Sequence, residues 1–199
     1  MNSRSQRPAR SQFLLAAAIF LGPLVAAVMI YYGFPSLLPS GRTNYGDLIN
    51  PPRPLPALSL ADADGKPVDS AALRGKWSLV YLGASSCADD CHARLHFSHQ
   101  LWLALNDKRA KLKRVYVAPD AAALSAAHMS LLAEHPDLVW LAETSITLQQ
   151  FFAAGDPGAF YLLDPWGNWV MTYHVASGAE AEQRDFKGMQ KDLKKLLAL

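Results

Sequence analysis

From Phe13 to Tyr32 the chain reads FLLAAAIFLGPLVAAVMIYY, an uncharged run of about the length a helix needs to cross roughly 30 Å of hydrocarbon. This pattern predicts a transmembrane anchor over residues 13–32, behind a short tail of residues 1–12. A cleaved signal peptide is the competing reading. Its apolar stretch would be about 7–15 residues long and end in a small-x-small site, whereas Tyr31, Tyr32 and Phe34 stand there. Gly22-Pro23 introduces a kink that a membrane helix tolerates. Arg4, Arg7 and Arg10 precede the span, and basic residues beside a membrane helix stay on the cytoplasmic side. The expected topology is single-pass in an inner (cytoplasmic) membrane, with the remainder of the chain in the periplasm of a bacterial cell.

Residues 33–56 carry Pro35, Pro39, Pro51, Pro52, Pro54 and Pro56, a density that favours extended backbone and predicts a tether. From residue 57 to residue 199 short apolar runs alternate with amphipathic stretches. A small hairpin turns at Ala63-Asp64-Gly65. Trp77 to Gly83 (WSLVYLG) is apolar throughout, as suits a strand buried on both faces. Cys91 to Lys113 lacks Pro and Gly and reads as a helix, Val115 to Pro119 as a strand, and Asp120 to His135 as a helix that Asp120 can cap. Leu138 to Leu141 is a strand and Ser145 to Ala153 a short helix. Ala159 to Leu163 and Trp169 to Tyr173 flank a turn at Asp164-Pro-Trp-Gly-Asn168. Ser177 to Glu180 has capping-box spacing ahead of a last helix whose apolar face is Phe186, Met189, Leu193, Leu196 and Leu197. This order predicts an α/β domain, a central sheet flanked by helices on both faces.

Composition then narrows the chemistry. The net charge of +2 invites a nucleic-acid reading, but without the three arginines of the tail the balance is 16 basic residues to 17 acidic, too even to steer a polyanion. No glycine-rich phosphate loop, GxSxG or HExxH occurs, so nucleotide, serine-hydrolase and zinc-protease chemistry has no footing.

Candidate chemistry concentrates in Leu82 to Leu101, LGASSCADDCHARLHFSHQL, which holds both cysteines of the chain. The pair follows the carboxyl end of a strand, where open α/β sheets place working sites. Cys87 and Cys91, at i and i+4, can approach to Cα atoms about 6 Å apart, inside the disulfide range of roughly 4.4–6.8 Å, and an exported domain can oxidise them. If Cys91 opens a helix, unpaired backbone N–H groups favour thiolate; Asp89 and Asp90 oppose this by like-charge repulsion. A metal site, a redox pair, a staple and two inert thiols are all open readings. The staple explains least, because so short a loop constrains little of the unfolded chain, for about 2 kcal/mol.

Residues 73–83 (LRGKWSLVYLG), the CxxxC of Cys87 and Cys91, and residues 161–170 (YLLDPWGNWV), behind an N-terminal anchor, resemble the Sco (SenC-type) family that assists cytochrome c oxidase assembly. The resemblance implies a thioredoxin-like fold, and a cysteine pair that holds copper with one histidine or exchanges disulfides. It also implies an oxidase subunit or another assembly factor as partner. Asp89 matches the family's motif acid, whereas His92 stands where the family has proline. The family's copper histidine would fall at Asp156, and two thiolates without an imidazole suit Cu(I) better than Cu(II). Pro157 resembles the cis proline opposite the cysteines of thioredoxin-like enzymes, or else is a turn proline.

His92, His96 and His99 recur on one helical face; His92, beside Cys91, is the best candidate third ligand to copper. His174 is expected to face the site or solvent, and His128 and His135 the surface. Trp77, Trp102, Trp140, Trp166 and Trp169 suit core and hairpin packing. The expectation is thus a Sco-like protein working through Cys87 and Cys91. A general periplasmic thiol-disulfide oxidoreductase and a non-catalytic oxidase-assembly subunit stand beside it.

Overall fold

A computed structural model of the protein describes residues 9–33, 44–144, 148–152, 156 and 158–198. Helix α1 (Ala9–Gly33) carries Pro23 inside it, and its Gln12–Gly33 stretch is the described helix long and apolar enough to cross a membrane. It belongs to one compact unit of the chain. Residues Asn44–Leu199 form the other.

The second unit is built on an eight-stranded mixed sheet: β1 (Asp47–Pro54), β2 (Ser59–Asp62), β3 (Pro67–Asp69), β4 (Trp77–Leu82), β5 (Leu112–Ala118), β6 (Leu138–Glu143), β7 (Phe160–Leu163) and β8 (Asn168–Tyr173). Their spatial order is β1-β8-β7-β4-β5-β6-β2-β3. The three central strands β4, β5 and β6 run parallel, and β7 lies antiparallel to β4. The apolar run at β4 is buried on both faces, as its composition requires.

Alternation along the strands sorts side chains into two cores. Leu79, Tyr81, Tyr116 and Ala118 face α2 (Asp89–Leu103), α3 (Ala121–Leu131) and α5 (Ala179–Leu196). Val80, Val115 and Val117 face Leu55, Leu58, Leu73 and the short α4 (Leu148–Phe151). Helices therefore cover both faces of the sheet, but the three long ones share one.

Several expectations meet corrections. Within the expected tether of residues 33–56, Asp47–Pro54 is strand β1, paired along β8. Prolines tolerate this because β1 is an edge strand, where half the backbone donors need no ladder partner; its Asn50-Pro51 bond is cis. The segment ahead of it is tied down too: the Tyr45 and Gly46 N–H groups donate to Asp192, and the Tyr45 hydroxyl donates to Asp185 at 2.5 Å. The long helix expected from Cys91 to Lys113 ends at Leu103, and a 3-10 turn at 106–111 leads into β5. Asp120 caps α3, its carboxylate accepting from the Ala123 N–H at 2.8 Å. The expected capping box at α5 does not form; Gly178 is the cap residue and supplies no side-chain bond. His135 is buried, at 4% exposure, and His128 stacks edge-on against Trp140. Trp166 is not packed: it is 76% exposed in a turn closed by Asp164. The cis-proline reading of Pro157, and both ends of the expected helix 145–153, lie outside the described residues.

Candidate functional site

Strand β4 ends at Leu82, and Gly83 then passes directly over the Tyr116 hydroxyl, so that a β-carbon at this position would collide with the ring. That close approach lets the chain leave the sheet at once into Ser85, Ser86 and Cys87. Helix α2 begins at Asp89, and its cap residue Ala88 contributes no side-chain bond. Cys91 thus sits in the first turn, where backbone N–H groups lack intrahelical partners.

Cys87 and Cys91 are joined as a disulfide with Cα atoms 5.1 Å apart. The two sulfurs are in unequal surroundings: Cys91 is 5% exposed, while Cys87 is half-buried at the rim of the core. Cys91 opens onto a hollow of about 840 Å³ whose charged and polar walls include Asp90, Arg94, Gln149, Asp156 and His174.

Two strands bring the last two together. In the β7–β8 hairpin Phe160 lies opposite Tyr173, so Asp156, ahead of β7, and His174, just after β8, meet at one end of the sheet. The His174 Nδ1 and Asp156 Oδ2 are 2.6 Å apart, and the other ring nitrogen is 3.6 Å from Asp47 Oδ2. Burial pushes the Asp156 carboxyl up, but the bond to His174, the Gly158 N–H and the Arg94 charge outweigh it and hold it below the ordinary value. The Tyr81 hydroxyl is raised, first by burial, against the lowering effect of Arg94.

The sequence-identified residues do not all gather here. Cys87 and Cys91 do. His92 is exposed and does not line the hollow; His96 is also exposed. His99 is half-buried elsewhere, in a network of Arg114, Asp137 and Ser98. Asp156 is in place, paired to an imidazole supplied from position 174. Arg94 escaped notice, although its spacing of three residues from Cys91 put it on the same helical face.

The donor set can be tested against copper. Among the described residues no group of three His, Cys, Asp or Glu side chains is arranged to hold a metal, and both sulfurs are committed to each other. Among the described residues the arrangement is that of a disulfide, with no third donor gathered beside the two sulfurs.

A mixed sheet flanked by helices, with a CxxxC disulfide between a central strand and the following helix, defines a thioredoxin-like protein. Residues 77–199 match the family described as transmembrane-like, thioredoxin-like, C-terminal domain, and the chain belongs to that family. Its fold is also that of solved Sco structures. Yeast Sco1 is 23% identical, with 72% of this chain and 96% of that one covered and a TM-score of 0.55. Apo Sco1 from Thermus thermophilus is 17% identical over 80% and 99%, at 0.57. A thiol:disulfide interchange protein from Bacteroides sp. is 18% identical over 74% and 90%, at 0.53. A Stutzerimonas stutzeri protein, named provisionally as copper-binding, is 30% identical over 71 residues, which are 35% of this chain and 35% of that relative's length.

Proposed function

We propose that this chain is a single-pass inner-membrane protein, its thioredoxin-like domain in the periplasm, that assists cytochrome c oxidase assembly by thiol–disulfide exchange through Cys87 and Cys91. The observation that carries this reading is the disulfide itself, lying where a buried strand meets a helix N-terminus and opening onto a hollow. Cys87, the more exposed sulfur, receives the attacking thiolate; Cys91, in the first turn of α2, is the leaving sulfur. A short bridge contributes about 2 kcal/mol to stability, which is little reason to keep two cysteines where β4 passes into α2. The partner is an oxidase subunit or another assembly factor bearing thiols.

Delivery of Cu(I) as cargo is the second reading. It is favoured by the copper-binding name of the Stutzerimonas stutzeri relative and by the affinity of soft ions for thiolates. Only the reduced pair could take the ion, through Cys87 and Cys91.

Deleting the chain and assaying oxidase activity at low and high copper separates the readings. Exchange predicts a loss of activity that added copper does not restore and that a Cys87→Ser/Cys91→Ser variant fails to complement. Rescue by copper would favour delivery. Full complementation by the double variant would refute both and leave a non-catalytic interaction subunit.

A further inference from the structure

Opening a disulfide leaves an electron pair on one sulfur, and a sulfur 5% exposed has little water to stabilise it. The surroundings of Cys91 are mostly acidic. Asp90 precedes it on α2 and lines the hollow, as does Asp156 from the loop before β7. Asp47 approaches from β1, 3.6 Å from His174. His174 is the imidazole in the hollow, and its Nδ1 is already engaged by Asp156 at 2.6 Å.

Arg94 is the remaining cation. It follows Cys91 by three residues, on the same face of α2, and both line the hollow. Its guanidinium rests against the bare backbone of Gly158, where a β-carbon would come within 3.1 Å of a terminal nitrogen. Among the described residues it makes no hydrogen bond or ion pair, while its charge reaches both Tyr81 and Asp156. Tyr81 packs in the same core cluster as Cys91.

We propose that Arg94 is the counter-charge for the sulfur released from Cys91 when the Cys87–Cys91 bond opens. This rests on the exchange reading above. A dithiol donates the attacking thiolate, which bonds to Cys87 Sγ as the Cys87–Cys91 bond breaks and its electron pair moves to Cys91 Sγ beside Arg94. The second thiol of the donor, or a second molecule of a monothiol such as cysteamine, then displaces Cys87. The donor leaves as a disulfide, the protein as a dithiol, and each protein sulfur ends with the proton of one donor thiol. An opposite charge within a few ångströms commonly stabilises an anion by a factor of ten or more, and none of the acids in the hollow can do this.

The test is the rate at which the full chain, in detergent micelles, is reduced by dithiothreitol and by cationic cysteamine at fixed pH. Arg94→Gln is expected to slow both reductions about tenfold, and Arg94→Lys to restore most of the rate. Arg94→Met, which keeps the apolar stem and removes the charge, is expected to slow reduction in the same direction and covers the case in which Arg94→Gln does not fold. Unchanged rates in folded Arg94→Gln would overturn the proposal, and so would a slowing seen with dithiothreitol but not with cysteamine, which marks steering of the attacker. If the wild-type disulfide itself resists every thiol, the exchange reading fails instead.

Discussion

His135 shows how one side chain writes pH dependence into the fold. Its Nδ1 is buried without a hydrogen-bond partner among the described residues. Burial, followed by the Arg114 charge, pushes its titration down to about 4. In the unfolded chain the same ring titrates near 6.5. The unfolded state therefore gains a proton first as the medium is acidified, and stability falls between about pH 6.5 and pH 4 by at most about 3 kcal/mol. His135→Leu is expected to flatten that slope, measured as urea midpoints at pH 7, 5.5 and 4; an unaltered slope would show that other groups carry it. A second acid limb lies lower. Burial raises Asp137, but its hydrogen bond to Arg114 outweighs this and holds the carboxyl below the ordinary range. Its contribution is present above about pH 4 and disappears as the pH falls through the lowered value.

Elements are tied together at two places by polar groups that the hydrophobic pattern does not display. Arg114, 1% exposed on β5, donates to the Leu95 carbonyl at 2.7 Å and to Ser98 on α2, and to Asp137 at 2.8 Å just before β6. Replacing it by Leu is expected to cost about 3 kcal/mol in a chemical melt, since partners on two elements lose a buried charge-assisted bond. The second tie joins the segment ahead of β1 to α5. Asp185 and Asp192 are 1% and 2% exposed and take their bonds from Tyr45, Gly46 and Ala176. Tyr45→Phe should lower stability by about 1–3 kcal/mol. Amphipathic helices and apolar strands were readable from periodicity because each buries one consistent face. These ties were not, because a buried arginine, a proline-rich edge strand and two acids on the inner side of a helix contradict local preference and depend on partners from other elements, some of them more than 100 residues away.

For the whole molecule, the helix-flanked sheet and the place of the cysteine pair at a strand's end were legible in local patterns of the sequence, while the thioredoxin-like class came from the resemblance to the Sco family. Where His174 and Arg94 point depends on how a hairpin folds back and how a helix rotates against the sheet. Position 156 alone therefore did not show that its carboxylate pairs with the imidazole of His174. The disulfide closes a loop too small to matter much to stability: reduction should lower the melting temperature by only about 4–8 °C, the equivalent of about 2 kcal/mol at this size. A much larger drop in calorimetry would mark a structural staple.

The reduction potential of Cys87–Cys91 tests the account most directly. The full chain in detergent micelles is equilibrated with dithiol and glutathione redox buffers, and its thiols are counted by alkylation and mass. An exchanging pair is expected to show a midpoint above about −300 mV at pH 7; a pair that stays oxidised below that value is an inert structural bridge and contradicts the function proposed here.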